Sequence, residues 1–181
     1  PEVYAQADRM MEALDWIIWE MTDVESRSAC GAGYKAFYRH DSGYPSNDFF
    51  KALDPRMEHF IEEKMDAPIK AIGIIDAHSS LPGCGIGKPG EMMIIVGTSS
   101  CHMMLSETEA GIPGVGGLVK DGIMPGYFGY EAGQCCVGDH FAWFVDNCVP
   151  ESYHQEARAK GISVHQLLTE KLKDYKAGQS G

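Results

Sequence analysis

The sequence predicts a mixed α/β fold, and three observations support this. Near the amino terminus, and again after residue 131, apolar residues recur every three or four positions, which is the spacing of amphipathic helices. From Ala71 onward, short apolar runs are separated by glycine, which is typical of buried strands. The longest unbroken apolar runs, such as Met92 to Val96, are too short to cross a membrane, while 181 residues suffice for a substantial core.

Four segments are predicted to be helical. The apolar stripe of residues 4–21 predicts an amphipathic helix that packs into the core. Asp54 as an N-cap, followed by Pro55 at the first helical position, predicts a short helix to about Lys64. Residues 132–148 have helical spacing, and Ser163 with Gln166 forms a capping box that begins the last helix.

The middle of the chain predicts strands. Four apolar runs carry this prediction, at residues 72–75, 92–96, 101–105 and 117–119. Residues 126–133, rich in glycine and aromatic residues, are predicted to form a loop. The change in composition near Lys70 predicts a domain boundary, with residues 1–70 in one domain and residues 71–181 in the next.

Charge and cysteine content limit the classes of partner. The chain has 26 acidic and 15 basic residues, a net charge of −11, so we expect neither a nucleic-acid nor a membrane partner. Net charge does not exclude a nucleotide, because backbone N–H groups can hold a phosphate locally. The six cysteines form no CxxC pair and no zinc-type spacing with histidine, so we expect free thiols, no bound metal and a cytoplasmic location.

Asp76 is the most informative candidate for chemistry. It follows the apolar run that ends in Ile74 and Ile75, at the carboxyl end of a predicted strand, where α/β proteins place their ligands. Partial burial would adjust its pKa for work as a general base. An aspartate in this position is equally typical of a residue that caps the following turn, and the residues alone favour neither interpretation.

A glycine and hydroxyl turn is the second candidate. Gly97, Thr98 and Ser99 lie between two predicted strands, where successive N–H groups and hydroxyls can form a phosphate-binding nest. A plain hairpin turn has a similar composition. The segment 83–89 imitates a P-loop, but Pro82 and Pro89 occupy the positions of its first glycine and of its serine or threonine, so it is excluded.

Lys35 and Glu131 are weaker candidates. Lys35 follows a small-residue passage, residues 28–33, and could meet a hydroxyl or a phosphate, although most lysines are solvated. Glu131 is predicted in the first turn of the helix that ends near Cys148, where the helix dipole favours a carboxylate without any ligand. His140, deeper in that helix, is more typical of a packed or surface histidine than of a base.

Several motifs together resemble a known family. The segments 97–105, 120–134 and 138–145 are similar to the FGGY family of carbohydrate kinases, and so are segments 27–36 and 73–78, in the same order. The resemblance covers nearly the whole chain. It implies an actin-like ATPase (ribonuclease H-like) fold with two domains, of which this chain would contain the end of the sugar-binding domain and the start of the nucleotide-binding domain.

The resemblance also implies an activity and roles for residues. The most similar members transfer the γ-phosphoryl group of ATP, with Mg²⁺, to the 5-hydroxyl of L-ribulose in arabinose catabolism. Asp76 matches the catalytic base of the family, and Lys35 and Glu131 match positions that contact the sugar. Gly97, Thr98 and Ser99 match the turn that meets the phosphoryl group of ATP. Alternatives are a kinase for another ketopentose and a non-catalytic module that binds a sugar or a nucleotide. Neither excludes a homo-oligomer.

Departures from the family pattern lead to a further expectation. Ile74 stands where asparagine is expected, Cys135 and Cys136 where serine and glycine are usual, and His140 where an aliphatic residue is common. The linker between Lys64 and Gly73 is shorter than in the family. An Asp-x-Gly-Thr phosphate segment and a glycine-rich adenosine segment do not occur in this sequence. We therefore expect the central portion of a longer kinase, inactive by itself.

Overall fold

A computed structural model gives the structure of the protein and describes residues 2–176 and 178–179. The helices are α1 (Glu2–Gln6), α2 (Ala13–Thr22), α3 (Ala29–Ala36), α4 (Asn47–Leu53), α5 (Asp76–Gly83), α6 (Gly138–Cys148), α7 (Glu151–Lys160) and α8 (Val164–Lys171). The strands are β1 (Arg27–Ser28), β2 (Ile69–Ala71), β3 (Met92–Val96), β4 (Ser100–Ser106), β5 (Gly117–Lys120) and β6 (Phe128–Gln134). Within these residues no helix has the length and apolar character needed to cross a membrane.

The chain divides into two compact units. The first contains the residues up to Ile95 together with Cys101–Gly133, and the second contains Val96–Ser100 together with the residues from Gln134 onward. Helices α1 to α5 lie in the first unit, and α6 to α8 lie in the second. This division reflects packing and does not test the domain boundary near Lys70, which stays a prediction.

Two sheets make the fold mixed α/β, as predicted at this level. Strands β1 and β2 pair in parallel, with Arg27 opposite Ile69. The second sheet has the strand order β3-β4-β6-β5, and β5 is antiparallel to β6. The core of the first unit contains Leu81 from α5 with Met103 and Leu105 from β4, all three fully or almost fully buried. Alternate side chains of β4 point inward, as the period of a strand requires.

Several predicted elements are confirmed. The apolar runs at residues 92–96, 101–105 and 117–119 form β3, β4 and β5. Asp54 caps as predicted, because its Oδ1 accepts a hydrogen bond from the Arg56 amide at 2.9 Å. Ser163 is the N-cap of α8, and its hydroxyl accepts a hydrogen bond from the Gln166 amide at 3.1 Å. These signals are local, and tertiary packing did not override them.

The single amino-terminal helix predicted over residues 4–21 is wrong. Helix α1 ends at Gln6 and α2 begins at Ala13. Between them the Met10 amide donates to the Lys64 carbonyl at 2.9 Å, and Lys64 Nζ donates to the Ala7 carbonyl at 2.7 Å. These long-range bonds replace helical ones. The stripe is also not all core, since the Met21 side chain is 77% exposed.

Other boundaries also differ from the predictions. Residues 54–64 form a 3-10 turn (Pro55–Met57) and lead into a π-helical turn (Ile61–Met65) instead of one α-helix. The run at residues 72–75 lies outside the strands, because β2 ends just before it. The predicted loop at residues 126–133 is mostly strand β6, which the pairing with β5 stabilises. As a result the following helix begins at Gly138 and not at Ala132.

The small-residue passage has a packing role within the chain. It forms the start of α3, and Gly33 faces β5 so closely that a Cβ atom there would lie 2.3 Å from Val119 Cγ1. A glycine therefore allows the helix to pack on the strand. The close approach expected at this passage is made by the strand β5 of the same chain.

Candidate active site

A buried histidine connects three elements of the first unit. His78, on α5, is fully buried. Its Nδ1 atom lies 3.2 Å from the sulfur of Cys30 on α3, and its Nε2 atom lies 3.2 Å from Oε2 of Glu131 on β6. The Nε2–H bond is not aligned for a hydrogen bond to the carboxylate, so the contact is an ion pair. The Glu131 side chain is 30% exposed and so reaches the surface.

The start of α3 is fixed by two hydrogen bonds, which places Cys30. Ser28 is the N-cap, and its hydroxyl accepts from the Gly31 amide at 2.9 Å. The Ser28 amide donates to Oδ1 of the buried Asp15 at 2.8 Å. Burial raises the pKa of Asp15, and this hydrogen bond opposes the rise.

Tyr34 docks α3 against the other two elements. Its hydroxyl donates to the Gly129 carbonyl on β6 at 2.8 Å, and its ring lies 4.3 Å from the His78 ring between centroids. A Cβ atom at Gly129 would lie 2.5 Å from the Tyr34 hydroxyl oxygen, so the strand needs a glycine there. These contacts hold α3, α5 and β6 together around His78.

Lys35 and Glu131, the two predicted sugar contacts, lie in one electrostatic environment. Lys35 is exposed in the last turn of α3. The contact with His78 lowers the pKa of Glu131 against the opposing effect of burial, and the charge of Lys35 lowers it further. The predicted position of Glu131 in a helix is wrong. It lies on β6 opposite Gly117, because this segment pairs with β5.

Asp76 lies at the beginning of a helix. It is the first residue of α5, its side chain is exposed, and its carbonyl accepts from the Ser79 hydroxyl at 2.7 Å. The predicted strand end and the partial burial expected of Asp76 are both wrong, because a helix begins here and the carboxylate is exposed. Asp76 and His78 share the first turn of α5, so this turn carries both a surface carboxylate and the residue that contacts Glu131.

Electrostatics favour a charged His78. Burial alone would lower its pKa, but the Cys30 sulfur and the Glu131 carboxylate together raise the pKa of His78 to about 9. At neutral pH the ring is then protonated, and both of its nitrogens are donors. A positive charge thus lies beneath the partly exposed Glu131 carboxylate.

The raised pKa of His78 leads us to expect a specific pH dependence of the free energy of unfolding. A folded-state pKa of about 9, above the usual 6.5, gives stabilisation that is complete below pH 6.5 and is lost as the pH rises through 9. We expect the free energy of unfolding to fall by up to about 3 kcal/mol over this window. Denaturant unfolding at one-unit steps from pH 6 to pH 10 measures it.

The matched control for this prediction is His78→Gln, which keeps an amide donor near the Nε2 position but does not titrate. Because other groups also ionise above pH 8, the quantity to compare is the difference in unfolding free energy between the unsubstituted chain and this variant. That difference should shrink as the pH rises. A difference independent of pH contradicts a charged His78.

The second unit contains the predicted glycine and hydroxyl turn. The Gly97 amide donates to the Ser99 carbonyl at 2.8 Å, which closes the turn between β3 and β4. The carbonyl of Thr98 accepts from the Val137 amide at 2.8 Å, and that of Gly97 accepts from the Gly138 amide at 3.0 Å. Thr98 and Ser99 are exposed. The turn is therefore anchored to the beginning of α6 while its hydroxyl side chains reach the surface.

Gly138 makes this anchoring sterically feasible. A Cβ atom at this position would lie 2.5 Å from the Gly97 carbonyl oxygen, well inside van der Waals contact. Nearby, the residues that depart from the family pattern are on the surface. Cys135, Cys136 and His140 are exposed, and the Cys136 thiol donates to Asp139 Oδ1 at 3.3 Å.

Sequence reasoning missed the Cys30–His78 pair. The two residues are 48 positions apart, and neither belongs to a local pattern that points to the other. His78 lies two residues after Asp76, which was its only signal. Gly138 was missed for a similar reason, because its contact partner is the backbone of a distant turn.

The sequence of the chain is similar to one family of enzymes. The model of the FGGY family of carbohydrate kinases, C-terminal domain, matches residues 92–180. The whole chain is 43% identical to a ribulokinase from Bacillus licheniformis and 42% identical to one from Geobacillus thermodenitrificans. It is 38% identical to a ribulokinase from Staphylococcus aureus.

Length separates this chain from these relatives. It spans 37% of the Bacillus licheniformis protein and 36% of the Geobacillus thermodenitrificans protein. Each alignment with these two relatives has 206 positions, whereas this chain has 181 residues. The relatives therefore have 25 aligned positions at which this chain has no residue. Together the family match and the identity over the whole sequence place the chain: it belongs to the FGGY family of carbohydrate kinases.

Proposed function

We propose that the protein containing these residues transfers the γ-phosphoryl group of ATP to the 5-hydroxyl of L-ribulose. One observation carries the proposal: Asp76, Lys35 and the Glu131–His78 pair lie on elements that pack together in the first unit. The relatives named ribulokinase, 38% to 43% identical to the whole chain, indicate the substrate.

Asp76 is the proposed general base. Its carboxylate is exposed at the amino terminus of α5, and a carboxylate is the group that accepts a proton from a hydroxyl in general-base catalysis. In the proposed step the sugar hydroxyl oxygen forms a bond to the γ-phosphorus, the bond from that phosphorus to the ADP oxygen breaks, and the hydroxyl proton passes to Asp76. Such a transfer needs mainly positioning and charge neutralisation.

Lys35 and Glu131 are the proposed sugar contacts. A lysine ammonium donates hydrogen bonds and an ionised carboxylate accepts them. Lys35 would therefore donate to the oxygen of a sugar hydroxyl, and Glu131 would accept the hydrogen of another. The lowered pKa of Glu131 keeps it an acceptor at neutral pH. Both residues reach the surface of the first unit, as a residue that binds a soluble sugar must.

Gly97, Thr98 and Ser99 are proposed to contact the phosphoryl group of ATP. The exposed hydroxyls of Thr98 and Ser99 are donors, and the hydrogen bonds from Val137 and Gly138 hold the turn in place. We expect Mg²⁺ to enter on the phosphates of ATP. Over the residues that the structure describes, no three His, Cys, Asp or Glu side chains are grouped to hold a metal ion.

The family suggests the architecture of the whole protein. We expect an actin-like ATPase fold in which residues 1–70 belong to a sugar-binding domain and residues 71–181 begin a nucleotide-binding domain. A cytoplasmic location would supply ATP and keep the cysteines reduced.

A substrate panel tests the proposed function. The product of the complete reading frame should be assayed for ATP-dependent ADP release with L-ribulose, D-ribulose, xylulose and glycerol. We expect the highest kcat/KM with L-ribulose and no turnover from the 181 residues alone, because they match little more than a third of the relatives. Preference for another sugar on the panel would indicate a different substrate, and binding without turnover would indicate a non-catalytic module.

A further inference from the structure

The three residues proposed to meet the sugar come from three different elements. One buried pair, Cys30 and His78, connects these elements. Lys35 is on α3, Asp76 begins α5, and Glu131 is on β6. Cys30 lies on the same helix as Lys35, and His78 lies on the same turn as Asp76. Together with Tyr34, the Cys30–His78 pair therefore connects the elements that carry the candidate sugar contacts.

Cys30 fixes the beginning of α5 relative to α3. Its sulfur lies 3.2 Å from His78 Nδ1 and accepts a hydrogen bond from the Ile75 amide at 3.4 Å. Ile75 directly precedes Asp76. The sulfur therefore holds both the ring of His78 and the backbone next to the proposed base.

His78 acts on Glu131 from the inside of the protein. The ring is fully buried and packed against Tyr34, so it cannot itself touch a sugar. Its Nε2 atom lies against Oε2 of Glu131, whereas about a third of the Glu131 side chain is exposed. A carboxylate has roughly four acceptor positions, so contact with His78 leaves acceptor capacity on the exposed side.

We propose that His78 is a positioning residue for the sugar, which holds Oε2 of Glu131 through Nε2 so that the free side of the carboxylate is presented to a sugar hydroxyl. The inference rests on the proposed function in one respect, the contact between Glu131 and the sugar. Without the buried ring, the carboxylate would lose its fixed orientation and its nearest positive charge. The groups that face His78 are Cys30 and Tyr34 from α3 and Glu131 from β6.

Two substitutions of His78 separate positioning from simple packing. In the complete gene product, His78→Asn keeps a polar group near Nδ1 but removes the donor at Nε2, whereas His78→Gln keeps a donor near Nε2. We expect His78→Asn to raise the KM for the sugar about tenfold, because the ion-pair partner that orients the Glu131 carboxylate is lost. His78→Gln should stay within about threefold, and the KM for ATP should change less than twofold in both variants.

A double-mutant cycle shows whether the effect passes through Glu131. Glu131→Gln alone should also raise the KM for the sugar. If His78 works through Glu131, the double variant His78→Asn/Glu131→Gln should have the KM of Glu131→Gln alone, because the contact is already lost. Multiplication of the two single effects in the double variant would overturn the inference.

Controls cover a general loss of packing. Leu81→Val changes an equally buried residue of α5 that has no polar group to hold a carboxylate, and it should leave the KM for the sugar unchanged. If His78→Asn does not fold, Cys30→Val provides the second route, because it removes the partner of Nδ1 and keeps the ring. A rise in the KM for the sugar of about threefold is then expected, and no rise at all would count against the proposal.

Failure of the inference is distinguishable from failure of the proposed function. If the unsubstituted protein phosphorylates another sugar of the panel, the same cycle is measured with that sugar. If it phosphorylates none, the proposed function is wrong, and calorimetric binding of L-ribulose to the same four proteins decides whether His78 and Glu131 are coupled. Additive effects in an active enzyme overturn the positioning role alone.

Discussion

Asp76→Asn, in the complete gene product, is expected to lower kcat for L-ribulose about 10²- to 10⁴-fold, which is the range that positioned general bases contribute. Asparagine keeps the size of the side chain and its place at the start of α5, but it cannot accept the proton from the attacking hydroxyl. The KM for the sugar should change much less, because the proton moves only in the transition state. Steady-state rates of ADP release measure both constants.

Asp48→Asn is the matched control for this prediction. Asp48 is also an exposed aspartate in the first turn of a helix, α4, so the substitution makes the same chemical change in the same helical environment. It should leave kcat within about twofold, as expected for a surface substitution. Retention of more than a tenth of the activity by Asp76→Asn, with this control unchanged, would show that Asp76 is not the base.

The second large effect is expected at Gly138. In Gly138→Ala the new Cβ would lie 2.5 Å from the Gly97 carbonyl oxygen, so the turn of residues 97–99 and the beginning of α6 must move apart. Overpacking of this kind costs about 2 kcal/mol of stability. If this turn contacts the phosphoryl group as proposed, a displacement of about 1 Å can lower kcat/KM about 100-fold. Thermal unfolding and the KM for ATP report the two effects.

Gly87→Ala is the control for Gly138→Ala. Gly87 is exposed, has open space where a Cβ would be added, and lies in the segment that only imitates a P-loop. Stability and activity should therefore be unchanged. Normal activity and stability of Gly138→Ala would mean that the turn does not need its contact with α6, and it would remove the support for Thr98 and Ser99 as phosphate contacts.

Local signals explain which parts of the fold were predictable. The caps at Asp54 and Ser163 and the strands β3, β4 and β5 depend on neighbouring residues, so the sequence predicts them directly. The break between α1 and α2 depends on Lys64, more than 50 residues away in the chain. A periodic pattern contains no information about such a partner.

The candidate site divides in the same way. Residue types, local order and family resemblance indicate the candidate residues, which are Asp76, Lys35, Glu131 and the turn of residues 97–99. Their roles remain proposals. What the pattern could not predict was the environment of each one, since Glu131 lies on a strand and Asp76 at the start of a helix.

By itself, the sequence determined the mixed α/β class, the family resemblance and the residue types available for phosphoryl transfer, because composition and short motifs are properties of neighbouring residues. Only the tertiary structure brought Cys30, His78 and Glu131 together, from positions up to 101 residues apart in the numbering. It also showed that Gly138 must be a glycine. Both features depend on residues that are distant in the sequence but close in space. The first is a buried charged cluster, and the second is a steric contact between two backbone segments.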